Sequence, residues 1–414
     1  MGESGGKMSG ISECLFAGAI ACGLLLQVPA AHARSEKVVY AFCSQQDCTD
    51  GYNPTSGLTE VNGLLYGMTF EGGTGACFGG PACGTVFVLD PKTGSETILH
   101  TFNGNNTDGY FPNGGVIAVK GLLYGTTTQG GVGSSGGTVF VLDPQTGTET
   151  LLHTFAAGDG SMPEGGLLNV KDTLYGTTAF GAGSGCSGSG CGTVYAINRK
   201  TGKEIVLHTF TGGADGGVSF AGLIEVNGTL YGTTTQGGSN AACFNGCGVV
   251  FAIDPRTGKE TVVHTFAGGN DGSVPEARLL NVDGILYGTT SAGGANNSGT
   301  VFSLDLQTGS EAVLYSFCSQ QYCHDGQGPG ASLIDVDGIL YGTTSAGGAD
   351  DRGTVFAVDA ASGAETVLYS FGSRFNGVDG TIPLSGLLAK GKWLYGTTLQ
   401  GGTHADGVVF AVKR

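Results

Sequence analysis

Positive charge is scarce in this 414-residue chain: 18 Lys and Arg stand against 34 Asp and Glu, a formal net charge of −16. Neutralising a phosphate backbone takes clustered Lys and Arg, so nucleic-acid binding is excluded, and so is a polybasic membrane patch. Tryptophan is almost missing; Trp393 is the single copy. A broad aromatic platform for sugar rings would therefore have to draw on Tyr52, Tyr110 and Phe111. Beyond residue 33 no run of 18 apolar residues occurs, so the mature chain is expected to hold no membrane-spanning helix. No Walker lysine follows the Gly-Gly strings, and no D-x-[DN]-x-[DN]-G calcium loop exists.

The N-terminus has the layout of an export signal. Lys7 precedes the apolar stretch Cys14 to Val28, and Ala31-His32-Ala33 supplies a small-x-small cleavage site. The expected organisation is a signal peptide over 1–33 and one domain over 34–414. Ten cysteines remain after the leader, in five close pairs: Cys43/Cys48, Cys77/Cys83, Cys186/Cys191, Cys243/Cys247 and Cys318/Cys323. Local pairs behind a signal peptide read as disulfides made in an oxidising compartment, secreted or periplasmic. None has the C-x2-C spacing of a zinc ligand pair, and no metal is assigned to them.

Glycine is abundant, with 80 residues, but it recurs with a long period. Leu-Tyr-Gly occurs seven times, at Tyr66, Tyr124, Tyr175, Tyr231, Tyr287, Tyr341 and Tyr395, a spacing of about 55 residues that marks a propeller or related array. Each copy contains four β-rich runs. The third unit has Gly166–Val170, Thr173–Thr178, Gly192–Ile197 and Glu204–Phe210. Asn227-Gly228 and Asp283-Gly284 are hairpin breaks between the first two runs. Asp90-Pro-Lys-Thr-Gly94 and its counterparts join the last two. Four meandering strands make a propeller blade.

The ends of the chain specify closure. The last copy stops after its third strand, at Gly407–Val412. The mature chain opens with Lys37-Val-Val-Tyr-Ala-Phe-Cys43, which matches the fourth strand Val313–Cys318 and shares its Ser-Gln-Gln continuation. The expected fold is all-β: a seven-bladed propeller of four-stranded antiparallel blades. The N-terminal strand completes the last blade and removes its open edge.

Several positions repeat in every unit. His100, His153, His208 and His264 share one position with Tyr40, Tyr315 and Tyr369, an exchange that suits packing with a hydrogen bond rather than metal ligation. Asp-Gly follows the fourth strand at Asp50, Asp108, Asp159, Asp215, Asp271, Asp325 and Asp379. These aspartates are expected to cap turns. The competing expectation is a carboxylate ring facing the channel, for which calcium is the one ion considered; no cofactor is assigned. Asp50, Asp108, Asp159, Asp215, Asp271, Tyr52, Tyr110, Phe111 and Arg374 are the ligand-binding candidates.

Ionisable residues that break the repeat cluster on the sixth and seventh units: His324 beside Asp325, Asp350-Asp351-Arg352, Arg374, Asp379, His404 and Asp406. Glu71, Glu164 and Arg278 lie elsewhere. A histidine near carboxylates can act as a general acid or base, and two spaced carboxylates can cleave glycosidic bonds. The same residues also suit a solvated loop, so none is assigned a catalytic role. Gly133-Ser-Ser-Gly-Gly137 matches G-x-S-x-G, but a strand follows it where a nucleophile elbow needs a helix.

The recurring Leu-Tyr-Gly-Thr-Thr, Gly-Gly, Gly-Thr-Val-Phe and Thr-Gly strings resemble the GloVer (Gloeobacter/Verrucomicrobia-type) tandem-repeat family of exported bacterial proteins, associated with choice-of-anchor proteins. The resemblance covers nearly all of residues 37–414. It implies a secreted or surface-attached protein and supplies no reaction or catalytic residue. With no sorting tail after Arg414, free secretion or periplasmic residence is expected. The leading functional expectation is a non-catalytic, monomeric scaffold that binds an extracellular glycan or protein on its disulfide-stapled loops. The alternative is an extracellular polysaccharide hydrolase or lyase.

Overall fold

The computed structural model describes residues 35–414 apart from 78, 79, 82, 105–107, 134, 135, 240, 241, 375 and 376. The expected leader, and the two serines of the G-x-S-x-G string, lie outside the described residues. Seven antiparallel sheets form the blades of a propeller, each a meander ordered from the channel outward. Blade 1 comprises Thr59–Val61, Leu64–Thr69, Thr85–Asp90 and Ser95–Thr101. Blade 2 gains a fifth short strand, Gly109–Pro112.

The repeated motifs have local physical causes. The glycine of Leu-Tyr-Gly lies directly across from the aromatic of Gly-Thr-Val-Phe, as Gly67 does from Phe87. A methyl group at Gly67 would sit 2.5 Å from Cζ of Phe87, and the same 2.5 Å recurs at Gly232 with Phe251. Only glycine lets the ring lie flat on the neighbouring strand. Val86 and Phe87 are consecutive and both fully buried, as expected for a strand sandwiched between blades. Burying each such phenylalanine stabilises the fold by about 2–3 kcal/mol.

The turns behave likewise. Gly94 takes φ 74° and donates its N–H to Asp90 O at 2.8 Å, while Asp90 Oδ1 accepts the Lys92 N–H at 2.9 Å. Asn227 and Gly228 both have positive φ, 53° and 85°, which matches the right-handed twist of a two-residue hairpin.

Adjacent blades are joined by a relay of aromatic edges. His100 meets Phe102 at 4.8 Å, and Phe102 meets Phe140 of the next blade at 5.3 Å. The relay is kept where tyrosine replaces histidine, as in Tyr369–Phe371–Phe410. Ring closure follows the expected plan. Glu36–Ala41 pairs antiparallel with Val408–Lys413, from Glu36↔Val412 to Ala41↔Val408. Phe42 then packs on Phe87 of blade 1 at 5.2 Å, so the first blade is sealed against the seventh.

Candidate functional site

The seven Asp-Gly aspartates form hubs at the outer ends of the blade junctions. Asp325 Oδ2 accepts the Tyr315 hydroxyl at 2.7 Å, the Ser319 N–H at 2.8 Å and the Ser319 hydroxyl at 2.9 Å. Asp379 accepts from Tyr369 at 2.7 Å and Asp50 from Tyr40 at 2.7 Å. In the other four junctions histidine Nε2 takes the tyrosine's place: His100–Asp108 at 3.3 Å, His153–Asp159 at 3.1 Å, His208–Asp215 at 3.4 Å and His264–Asp271 at 3.3 Å. These carboxylates hold their own loops and do not line the channel, so the turn-capping geometry is the one the chain adopts.

A second carboxylate completes each junction. Glu36, Glu96, Glu149, Glu204, Glu260, Glu311 and Glu365 begin the fourth strands. Each lies against the Asp of the preceding blade. Burial pushes Glu96 and Glu365 up to about 8, and their Asp50 and Asp325 neighbours add to the shift. Burial likewise lifts Glu149, Glu204 and Glu311 to about 7. Both oxygens of Glu365 and Glu96 are buried without a hydrogen bond. His, Asp and Glu converge within 4.8 Å at His100/Asp108/Glu149, His153/Asp159/Glu204 and His264/Asp271/Glu311. The aspartate oxygens there already accept N–H groups, as Asp108 does from Asn103 and Gly109.

The interblade loops and the loops between second and third strands share one face, where Tyr52 bridges Glu71, Ser273 bridges Ala292 and Thr381 bridges Gln400. All five expected disulfides form there: Cys43–Cys48, Cys77–Cys83, Cys186–Cys191, Cys243–Cys247 and Cys318–Cys323. Two of these closed loops present bare aromatic rings, Phe244 at 94% exposure and Tyr322 at 78%. The Tyr322 ring lies 6.1 Å from that of His324. Between blades 6 and 7 the same face opens a recess of about 520 Å³ lined by Asp350, Arg352, Thr381 and Gln400.

A larger space, about 1200 Å³, runs down the axis. The residues that follow Pro54, Pro112, Pro163, Ser219, Pro275, Pro329 and Pro383, one equivalent position in each repeat, contribute its upper ring: Thr55, Asn113, Glu164, Phe220, Glu276, Gly330 and Leu384. Asn113 Nδ2 donates to Glu164 at 3.4 Å. Burial pushes both glutamates above the usual carboxylate range. Two residues further on, Arg278 also lines the channel. It is open to the channel's water yet enclosed by its walls, and the enclosure lowers its pKa.

The remaining sequence candidates are scattered by the fold. Asp50, Asp325 and Asp379 are completely buried, so Asp325 serves Tyr315 and Ser319 while the His324 side chain is exposed. Tyr110 is drawn into the core beside Val116 and Phe140 by the extra strand of blade 2. Phe111 is half-buried and stacks on Phe70 at 4.8 Å. Tyr52 is half-buried over Glu71. Arg374 pairs with Glu36 Oε2 at 2.8 Å, and Asp351 caps the Gly347 N–H at 2.8 Å. His404 is exposed beside the half-buried Asp406, whose pKa burial raises and His404 opposes. Only Asp350 and Arg352 of the blade 6–7 group reach a common recess. The glutamate ring was not singled out from sequence, although Glu four residues before each His or Tyr was its signal.

The Gloeobacter/Verrucomicrobia repeat matches residues 17–244 and 241–414. The chain belongs to that family. No curated protein matches this family member in sequence. Among solved structures, the extracellular domain of the hybrid two-component system BT4673 from B. thetaiotaomicron aligns with TM-score 0.59 and 11% identity, over 92% of this chain and 40% of that one. An oligogalacturonate lyase in complex with manganese aligns with TM-score 0.52 and 15% identity, over 88% and 89%. A chain of the mitotic checkpoint complex gives TM-score 0.53 and 13% identity over 98% of each. At such identities the likeness concerns the propeller fold alone. Among the described residues no helix is long and apolar enough to cross a membrane, and five disulfides suit an oxidising environment.

Proposed function

We propose that this repeat protein is an exported binding scaffold that holds an extracellular glycan or protein on its stapled loop face. The observation that carries the reading is the pair of bare aromatic rings, Phe244 and Tyr322, each on a loop closed by a disulfide. An exposed ring costs hydration free energy unless a partner covers it, and a stapled loop loses little further entropy when it binds. Aromatic faces suit both sugar rings and protein hot spots. The test is a pull-down of the oxidised mature chain on a polysaccharide panel and on secreted proteins of the producing organism, with reducing ends followed in parallel. Retention that falls at least tenfold in the Phe244→Ala/Tyr322→Ala double variant supports the reading; unchanged retention overturns it.

A second reading, polysaccharide cleavage, is favoured by the recess that brings Asp350 and Arg352 together. It requires new reducing ends or unsaturated products that disappear in Asp350→Asn. Oligogalacturonate enters the panel on the strength of the neighbouring lyase's fold.

A further inference from the structure

We propose that the axial channel is a separate binding site for a small hydroxylated carboxylate, a sugar acid, with Arg278 as its anchor. Arg278 stands where the other six repeats carry Gly57, Gly115, Gly166, Gly222, Gly386 and Ser332. The fold therefore needs no side chain at this level. At two of these glycines neighbouring backbones approach closely: a methyl at Gly222 would lie 2.6 Å from Gly166 O, and one at Gly166 would lie 2.6 Å from Gly114 O. Arg278 and Lys171 are the cationic side chains among the channel's lining residues, and of the two only Arg278 stands at this level of the repeat.

Among the described residues that cation has no counter-ion. Arg199 pairs with Asp172 at 2.7 Å and Arg374 with Glu36 at 2.8 Å, whereas Arg278 forms no ion pair among the described residues, and burial alone shifts its pKa. Carboxylates are plentiful in a chain of net charge −16, so lack of supply does not explain the vacancy. A guanidinium offers paired N–H donors that match a carboxylate in a bidentate fashion, and enclosure by protein strengthens the match. The layer above selects the class of anion. Glu164 and Glu276 would oppose a phosphate dianion more strongly than a carboxylate monoanion, and both, with Asn113, can hydrogen-bond sugar hydroxyls. Phe220 offers the apolar face that a sugar ring needs. A space of about 1200 Å³ accommodates a mono- or disaccharide.

The site is independent of the loop face, so the Phe244→Ala/Tyr322→Ala variant keeps it and failure of either proposal leaves the other standing. The test is calorimetric or saturation-transfer titration of the mature, oxidised chain with D-galacturonate and D-glucuronate. D-galactose, D-glucose and inorganic phosphate serve as comparison ligands. Both or either sugar acid should bind about tenfold or more tightly than its neutral counterpart. Arg278→Gly, which installs the residue present in five repeats, should lose that preference with an unchanged melting temperature, and Arg278→Lys should retain part of it. Equal binding of acid and neutral sugars, no binding of either acid up to about 20 mM, full binding in Arg278→Gly, or tighter binding of phosphate than of the sugar acids would each overturn the proposal.

Discussion

Glu365 allows the energetics of the blade junctions to be measured at one atom group. Its carboxyl lies against Asp325, near the Tyr315 hydroxyl, with both oxygens buried and unbonded. Its pKa rises from 4.5 to about 8. Below about pH 4.5 the group is neutral in both states and its contribution to stability is complete. As pH climbs from there towards 8, the unfolded chain ionises while the folded chain holds the proton, so stability falls. Fully converted, the shift would correspond to about 4.8 kcal/mol. Glu365 is only half-buried and water relaxes around it, so we expect about 1.5 kcal/mol. Glu365→Gln abolishes the titration. Urea denaturation of the two proteins should agree to within about 0.5 kcal/mol near pH 4.5 and favour the variant by about 1.5 kcal/mol near pH 9. A gap that is the same at both pH values, or that favours wild type at high pH, would refute the assignment of Glu365 as a carboxyl kept neutral by its junction.

Gly232→Ala places a methyl 2.5 Å from Phe251 and 2.8 Å from Leu223; thermal melting should show a loss of about 1–3 kcal/mol. Asp379→Ala leaves the buried Tyr369 hydroxyl with only the longer contact to the Ser373 hydroxyl at 3.2 Å and should cost about 1–3 kcal/mol by urea titration. Deleting residues 34–43 exposes the Val408–Lys413 edge, and size-exclusion chromatography should then show self-association in place of a single peak. Replacing Cys243 and Cys247 by serine should cost no more than about 2 kcal/mol of global stability while pull-down through Phe244 weakens.

The architecture was readable because its signals are redundant. Leu-Tyr-Gly recurs for a reason that every blade shares, the aromatic ring lying on the glycine, and the Ser-Gln-Gln shared by the first and sixth blade-joining loops exposed the displaced strand. The site was less readable because its parts meet across blade gaps. Glu365 and Asp325 are distant in sequence and meet only when blades 5 and 6 dock. Arg278 stood out as a break in the repeat, but nothing in its neighbours along the chain says that the glycine it replaces faces the axis. Tyr110 resembled a surface aromatic until an extra strand, peculiar to blade 2, turned it inward.

The joint between the chain's two ends has a consequence for engineering. Lys413 N–H donates to Ser35 O at 3.2 Å, so first and last residues of the ring are neighbours, and a linker of a few residues could weld them covalently. New ends could then be opened at an Asn-Gly hairpin such as Asn62-Gly63, on the side away from the stapled loops. Such a permuted molecule would keep every blade contact while freeing the seventh blade from its dependence on a strand that threads in from the other end of the polypeptide.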